Sequence, residues 1–305
     1  MKKKRILIIS IIILIIITII ISIFLFFLFK SNNKEDKLKE KSVEQINYLE
    51  EQIVSCMNTL NNITFKTAKL KKNTETITKN SSSSDESSSQ DSSNTSTNNS
   101  SNANSTSSSE NNKNEKQQTK YDIQNNNILL LDLSNIDWNY IKDEIDNLHS
   151  IWPSIIVDLY MLNVNNQDIL NFSTVLDQTT IDIKQENKKA VLNDFSNLYS
   201  YLPKYFEQTS KDNKKINLTY TKSYILNSYA LVEQNNWDGM KTQISEANNY
   251  FSKIMNSVDG NTEYIQNRIT KTYILLNELN NAIDKKYKEL YYIKYKNVME
   301  ELMDL

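Results

Sequence analysis

The chain has few of the residues that usually end helices or carry out chemistry. Its 305 residues include two glycines, Gly239 and Gly260, two prolines, one cysteine and one histidine. A single cysteine cannot form a disulfide within the chain, so packing must hold the fold. Because glycine and proline are so sparse, long helices are expected, and neither a phosphate-binding loop nor a dinucleotide motif can be built.

The scarcity of catalytic side chains argues against an enzyme. His149 is the only histidine and Cys56 the only cysteine, so the common zinc sites cannot form within one chain. His149 falls beside an apolar helical face, where a packing role is the usual one. Cys56 falls on an apolar stripe, as a small apolar residue does. We predict no catalytic, cofactor-binding or metal-binding residues, and no cofactor.

Carboxylates are the remaining source of chemistry. Residues 121–183 hold ten acidic residues and one basic residue. Two carboxylates that meet in a cleft can hydrolyse glycans, whereas an acid-rich helix face is usually solvated. A carboxylate-dependent enzyme or binder of cell-wall glycans is therefore kept as an alternative function. Its candidate residues are Asp137, Asp143, Glu144 and Asp146.

The chain does contain a long apolar run near its start. Residues 6–29 carry no charge and are mostly isoleucine, leucine and phenylalanine, with basic residues at positions 2–5 before them and Lys30 after them. A helix of this length reaches about 36 Å, which is enough to cross a hydrocarbon core of about 30 Å. Unlike a cleaved leader, the run is long and ends in bulky aromatics. We predict a retained transmembrane anchor.

The charges around the anchor predict its orientation. The basic cluster directly precedes the apolar run, and a tail of residues 1–5 is easily left in the cytoplasm while a long domain is translocated. We predict a single-pass protein of the cell membrane, with a cytoplasmic N-terminus and an extracytoplasmic C-terminal domain.

Residues 30–78 predict a juxtamembrane amphipathic helix. Its stripe spans about 2.5 heptads, which is short for an independent coiled coil. Two interpretations stay open: the helix docks on the distal domain of its own chain, or two chains form a homodimer through residues 46–63. The coiled-coil-like stripe consists of Ile46, Leu49, Ile53, Cys56, Leu60 and Ile63.

Residues 79–120 consist almost entirely of serine, asparagine, threonine and charged residues. Such a segment has no apolar surface to bury and is predicted to be a disordered linker. As a flexible chain it has a mean end-to-end distance of about 35–40 Å. The sequence therefore predicts a distal domain that can move away from the membrane.

Residues 121–305 are numerous enough for one globular core and are predicted to be all-α. Ser134 and Asp137 resemble a capping box, and Pro153 fits the first turn of the helix after Trp152. The fold class is an irregular helical bundle or a short array of helical hairpins. Later helices are predicted over 167–186, 188–208, 217–235, 238–257 and 262–303, with a break in the last near Asn280 and Asn281.

A short internal repeat favours hairpins. Residues 221–226 and 270–275 match in five of six positions, 49 residues apart. The segment between them also resembles a tetratricopeptide unit, which implies a helix-turn-helix repeat. It departs from that family at Met240 and in its period, which is about 34 residues in the family. The residues that carry the resemblance are Tyr224, Ala230, Trp237, Ala247 and Phe251.

The C-terminal segment mixes basic and aromatic residues. Such a mixture can hold nucleic acid or an anionic surface, but tyrosines at every fourth position are typical of packing. An isoelectric point near 5.7 also argues against nucleic acid, and we predict no nucleic-acid partner. The residues are Lys285, Lys286, Lys288, Lys294 and Lys296 with Tyr287, Tyr291, Tyr292 and Tyr295.

The order of anchor, Ser/Asn linker and helical domain resembles the membrane-anchored, extracytoplasmic envelope proteins of AT-rich Gram-positive bacteria. This resemblance is one of architecture and implies no activity. The expected function is a non-catalytic binding or scaffolding module at the cell envelope, with the membrane and a protein or envelope polymer as partners. Besides the glycan enzyme, an accessory subunit of an envelope sensor is an alternative.

Overall fold

The computed structural model of the chain describes residues 34–65, 128–130, 135–257 and 262–305. The predicted anchor at residues 6–29 and the predicted linker at residues 79–120 lie outside these ranges, and both stay predictions. Among the helices that the structure does describe, none is both long enough and apolar enough to cross a bilayer.

Within the described ranges the fold is all-helical, as predicted. Helix α1 covers 34–59. The other helices are α2 Trp138–Met161, α3 Asn166–Lys184, α4 Lys188–Thr209, α5 Asn213–Ala230, α6 Trp237–Asn256, α7 Glu263–Asp284 and α8 Lys288–Met303. Single 3-10 turns cover Ile128–Leu130 and Val232–Gln234.

Short polar residues set the helix starts. The side chain of Asn187 accepts a hydrogen bond from the backbone N–H of Ala190, and that of Asp212 accepts one from Lys215. Each oxygen satisfies an N–H group that has no partner inside its helix. The same capping occurs at Asp137, Asn165, Asn236 and Thr262. In a chain that has little glycine, asparagine therefore helps to set where one helix ends and the next begins.

Neighbouring helices run antiparallel. Near one end of the bundle, Gln45 of α1 donates to Asp158 of α2 at 2.8 Å, and near the other end Ser55 and Tyr140 are 2.7 Å apart. The later helices contact one another in chain order, and α8 also returns to contact α5. They alternate in the same way, because contacts join the start of one helix to the end of the next, as between Lys241 and Asp284 and between Arg268 and Glu301. The starts of α1, α3, α5 and α7 therefore lie at the same end as the last residues of α2, α4, α6 and α8.

Two of the hairpins follow one pattern. Glu186 between α3 and α4 and Lys286 between α7 and α8 both adopt a left-handed backbone, with φ of 54° and 52°. In each hairpin the second helix begins two residues later, and the burial pattern over 191–200 is repeated over 291–300. The sequence analysis missed this correspondence, because the two hairpins share few identical residues.

The repeat found in the sequence is not a structural repeat. Thr221 and Ile225 of α5 are fully buried, whereas the matching Thr270 and Ile274 of α7 are exposed. Both copies lie within their helices and do not open them. Because α5 contacts α4, α6 and α8, it is buried on more sides than α7.

Three helix boundaries need correction. Pro153 lies inside α2, so the predicted helix start there is wrong. The residue that caps α2 is Asp137, through Tyr140 N, and not a capping box from Ser134, which lies outside the described residues. The break between α7 and α8 comes at residues 285–287 and not near Asn280, because Lys286 takes the left-handed turn.

Helix α1 docks on the distal domain of its own chain. All six stripe residues, from Ile46 to Ile63, are at most 5% exposed, and residues 34–65 group with the described residues between 128 and 305 as one compact unit. The first of the two interpretations of the stripe therefore describes this structure. Homodimer formation stays a prediction, and it would require α1 to leave this position.

This docking corrects the expected role of the linker. Since α1 precedes residues 79–120 and is part of the domain core, that segment does not separate the predicted anchor from the domain. Phe65, the last described residue before this segment, packs against the core, and Ile128, the first described residue after it, is buried in the core. Only residues 30–33 lie between the predicted anchor and the first described residue of α1.

If α1 is part of the core, shortening one of its side chains should destabilise the whole domain. Leu49 is fully buried, so we expect Leu49→Ala to lower the free energy of unfolding by about 2–5 kcal/mol. Urea unfolding of the detergent-solubilised chain, followed by circular dichroism, measures it. Glu40→Ala, at an exposed position of α1, should cost about 0.5 kcal/mol or less. Equal effects of the two variants would contradict the docking of α1.

Candidate functional site: the groove that holds the first helix

Helix α1 fills a groove whose walls come from α2, α4, α5 and α8. Buried residues lie on most sides of α1 and of the turn after it, and some of them are polar. The buried polar residues, each at most 8% exposed, are Glu50, Gln52, Asn58 and Asn61. Buried polar groups are costly unless each finds a partner. The groove supplies Tyr199 of α4 for Glu50, Tyr295 of α8 for Asn58, and Tyr229 of α5 for the side-chain nitrogen of Asn61 in the turn after α1, and Tyr140 of α2 also meets Ser55. Among the described residues, the side-chain oxygens of Gln52 and Asn61 have no hydrogen-bond partner.

A buried ion pair lies at the centre of this groove. Glu50 of α1 pairs with Lys222 of α5, and both residues are 5% exposed. Tyr199 of α4 donates a hydrogen bond to Glu50 Oε1 at 2.8 Å. Burial, together with the negative charge of Glu50, raises the pKa of Tyr199 well above its usual range. The three groups link three helices through one carboxylate, so they fix the register of α1.

Stacked tyrosines form the far part of the groove. The rings of Tyr229 and Tyr295 lie 4.2 Å apart, nearly parallel. Asn61 Nδ2 donates to Tyr229 Oη at 2.6 Å, and Tyr295 Oη donates to Asn58 Oδ1 at 2.9 Å. Burial raises the pKa of both tyrosines. They therefore act as neutral packing groups with one polar tip each.

The basic and aromatic C-terminal segment contributes largely to this core. Tyr291, Tyr292 and Tyr295 are at most 1% exposed and Lys296 is 6% exposed, whereas Tyr287 is 55% exposed. The packing interpretation of the tyrosines at every fourth position is therefore confirmed for Tyr291 and Tyr295 and wrong for Tyr287. The rings of Tyr291, Tyr292 and Tyr295 face the other helices.

A cleft opens beside the central ion pair. Its volume is about 380 Å³, and it lies between α1, the start of α5 and the last residues of the chain. Its charged lining has both signs, with Glu51 and Asp212 opposite Lys214 and Lys215. Burial lowers the pKa of Lys215, whose ammonium lies 4.7 Å from the ring centre of Phe206. With both signs present, the cleft has no marked preference for anions or cations.

A second cleft of about 360 Å³ lies between α7 and α8. Arg268 donates to Glu301 Oε1 at 2.7 Å and to the carbonyl oxygen of Asp304 at 2.6 Å. Lys271 also pairs with Glu301. The flanking cations outweigh burial and hold the pKa of Glu301 below its usual value. This network joins the end of α8 to α7 and keeps Glu301 charged.

The four candidate carboxylates do not come together in either cleft. Asp137 caps α2, Asp143 and Asp146 are exposed, and Glu144 is half-buried. None of them lines the cleft beside Glu50 or the cleft beside Glu301. In the part of the chain that the structure describes, no group of three or more histidine, cysteine or acidic residues could hold a metal ion.

His149 and Cys56 have packing positions. His149 Nε2 and Thr180 Oγ1 are 2.8 Å apart, which joins α2 to α3. Cys56 is fully buried on the α1 stripe. Both positions agree with the roles expected from the sequence.

One perturbed carboxyl was not singled out from the sequence. Asp194 of α4 lies against Asp182 at the end of α3, and burial followed by this hydrogen-bonded neighbour raises its pKa from 3.8 to about 7. Gln178 donates to Asp182 Oδ2 at 2.8 Å, and the raised pKa means that Asp194 holds its proton below about pH 7. No spacing rule joins residues 182 and 194; only the α3–α4 hairpin does.

Comparisons with protein-family models, with curated proteins and with solved structures find no match to this chain.

If the central ion pair fixes α1, removing one partner should cost more than removing both. We expect Lys222→Met to lower the free energy of unfolding by about 3–5 kcal/mol, because it leaves Glu50 buried and unpaired. Adding Glu50→Gln to the Lys222→Met variant should recover a large part of the lost free energy of unfolding. Denaturant unfolding of both variants measures it. The control is Lys241→Met, because the ion pair of Lys241 with Asp284 is more than half exposed. This substitution should lower the free energy of unfolding by about 1 kcal/mol or less. An equally small loss in Lys222→Met would contradict the role of the pair between Glu50 and Lys222.

The raised pKa of Asp194 predicts a loss of stability with rising pH. Between about pH 4 and pH 7 the unfolded chain has released this proton and the folded chain still holds it, so stability falls as pH rises. Asp194→Asn cannot ionise. We expect it to be more stable than the wild type at pH 8 by about 1 kcal/mol, since half exposure screens the effect. Thermal unfolding at pH 4 and pH 8 tests this, with exposed Asp143→Asn as the control that should follow the wild type.

Proposed function

We propose that this protein is a non-catalytic, single-pass helical binding or scaffolding module at the cell envelope. Its N-terminus lies in the cytoplasm and its helical domain outside the membrane. The domain is a short array of helical hairpins wrapped around α1. In support of an array, successive helices alternate in direction, and the turn and burial pattern of α3–α4 returns in α7–α8.

The position of α1 carries the proposal. Residues 6–29 are the only run in the sequence that is long and apolar enough to be an anchor, and α1 begins at residue 34. Five residue steps from Phe29 to Lys34 span at most about 18 Å. Since α1 is buried in the domain, the domain is held next to the bilayer and is not carried on a long tether.

A helical domain held next to the bilayer is confined to one layer of the envelope. It meets any partner in the same layer of the envelope at a high effective concentration, and it loses little freedom when it binds because its position is already restricted. The partner is a protein or an envelope polymer. Because α1 already occupies the inner groove, the surface available to such a partner is the outer face of the hairpins.

A crosslinking experiment in envelope membranes tests this proposal. The full chain should stay in the pellet after an alkaline carbonate wash, and crosslinking should join it repeatedly to a defined envelope protein or polymer. The matched control lacks residues 6–29 and keeps all the described helices. We expect it to be extracted by carbonate and to lose crosslinks on the order of tenfold, because confinement is lost.

Two outcomes would overturn the proposal. The first is recovery of the intact full chain in the carbonate supernatant. The second is hydrolysis of purified cell-wall glycan by the full chain, abolished in the double variant Asp143→Asn, Glu144→Gln. That result would favour the carboxylate-dependent enzyme instead.

A further inference from the structure

The exposed sides of α2 and α3 carry half of the large apolar side chains that are exposed in the described residues. We call this surface the outer face of the α2–α3 hairpin. Exposed apolar side chains gathered on one surface mark an interaction site. The five side chains, with their exposed fractions, are Val157 at 56%, Tyr160 at 64%, Met161 at 62%, Leu170 at 60% and Ile181 at 49%.

On each of the two helices, exposed positions form a stripe that faces away from the core. They recur in steps of three and four residues, which is the spacing of a single helix face. The buried residues of both helices lie on the opposite sides. The stripe of α2 consists of Asn139, Asp143, Asp146, Ser150, Pro153, Val157 and Tyr160, and that of α3 consists of Leu170, Thr174, Asp177, Ile181 and Lys184.

Contacts between the helices set the register of the two stripes. Two side-chain contacts of 2.8 Å join Trp152 to Ser173 and His149 to Thr180. By this antiparallel register, Val157 lies at about the level of Leu170. Asp146 lies at about the level of Ile181, and it is about 16 Å from Val157 along the axis of α2. The outer face is therefore apolar near the α2–α3 turn and acidic towards its other end.

The acidic part of this face carries charge that no cation of the chain neutralises. Residues 138–184 hold seven acidic and two basic residues, whereas the chain from the start of α4 onwards holds 14 and 16. In the described ranges, Asp143, Asp146 and Asp177 are exposed and form no ion pair. The surplus of negative charge therefore lies on the same hairpin as the exposed apolar side chains.

We propose that the outer face of the α2–α3 hairpin binds a protein partner through a basic amphipathic helix. Apolar side chains of that helix cover Val157 and Leu170, and its lysine or arginine side chains pair with Asp146 and Asp177. A helix of about 15 residues is about 22 Å long, so it reaches both parts of the face. This inference rests on the proposed function, because it names the partner of the binding module and the surface that the partner uses.

The combination of apolar side chains and negative charge selects this partner. A neutral glycan would leave the aspartates without counter-charges, and an anionic polymer or an anionic bilayer would be repelled by them. A basic segment without apolar residues would leave Val157 and Leu170 in water. An amphipathic helix satisfies both parts, and two neighbouring helices leave a shallow groove into which a third can pack.

Site-specific photocrosslinking in envelope membranes tests this binding. The full chain carries p-benzoylphenylalanine in place of Tyr160 on the outer face, or in place of exposed Ser245 of α6 as the control. Mass spectrometry then identifies the molecule and the segment that irradiation joins to each position. At 160 we expect one protein segment with basic and apolar residues at helical spacing, and at 245 we expect no adduct with that segment.

A second set of variants tests the role of charge. Adding Asp146→Lys and Asp177→Lys to the chain with the crosslinker at 160 should lower the adduct yield on the order of tenfold, because like charges then face the partner. The matched control adds Asp238→Lys and Glu263→Lys, at exposed positions of α6 and α7, and should keep the yield. Circular dichroism should be the same for all of these chains.

Three outcomes would overturn the inference. The first is the absence of a protein adduct at 160, including an adduct with lipid or glycan in its place. The second is an adduct with a protein segment that lacks basic residues. The third is an adduct yield that the reversed charges at 146 and 177 leave unchanged.

The outcomes also separate the inference from the proposed function. If the chain stays in the carbonate pellet and joins a defined envelope partner only through other positions, the inference is wrong and the proposed function stands. If carbonate extracts the chain, the proposed function fails, and the adduct at 160 alone decides whether this face binds a basic helix.

Discussion

The structure depends on the burial of α1 on most sides of its surface. A helix that buried only its stripe could slide or rotate, because apolar contacts are not directional. The polar residues of α1 prevent this: Glu50, Asn58 and Asn61 each reach a specific tyrosine hydroxyl on a different helix. Only one register satisfies all three at once, and any other leaves buried polar groups without partners. The groove is therefore specific for the helix that it holds.

Tyrosine suits a core of this kind because one side chain provides both ring area and a hydrogen-bond donor. Tyr229 stacks on Tyr295 at 4.2 Å, and each hydroxyl meets an asparagine of α1. A phenylalanine would pack as well but would leave the amide unsatisfied. In a chain with one cysteine, these contacts stabilise the fold in place of the disulfides that small secreted domains use. The richness of the sequence in asparagine and tyrosine has this structural cause.

Local features of the sequence predicted the helices well, and long-range pairing could not be predicted. The starts of α3, α4, α5 and α6 follow from a capping asparagine or aspartate, which acts within four residues. Pro153 misled the prediction because proline is common at helix starts, yet here it is accommodated inside α2. The partners Glu50 and Lys222 are far apart in sequence, and no local pattern joins them. For the same reason the stripe of α1 could not reveal whether its partner was its own chain.

The docking of α1 also links membrane attachment to folding. If residues 6–29 are held in a bilayer, any force that draws the domain away from the membrane acts first on α1. Helix α1 cannot yield by itself, because its departure would expose the apolar surface of the groove to water and break the contacts with Lys222 and with the hydroxyls of Tyr229 and Tyr295. Losing this burial and these contacts costs several kcal/mol, which is a large part of the stability of a domain. If residues 6–29 lie in a bilayer, the position of the domain there would therefore be as stable as its core, and the long polar segment between Phe65 and Ile128 could vary in length without changing it.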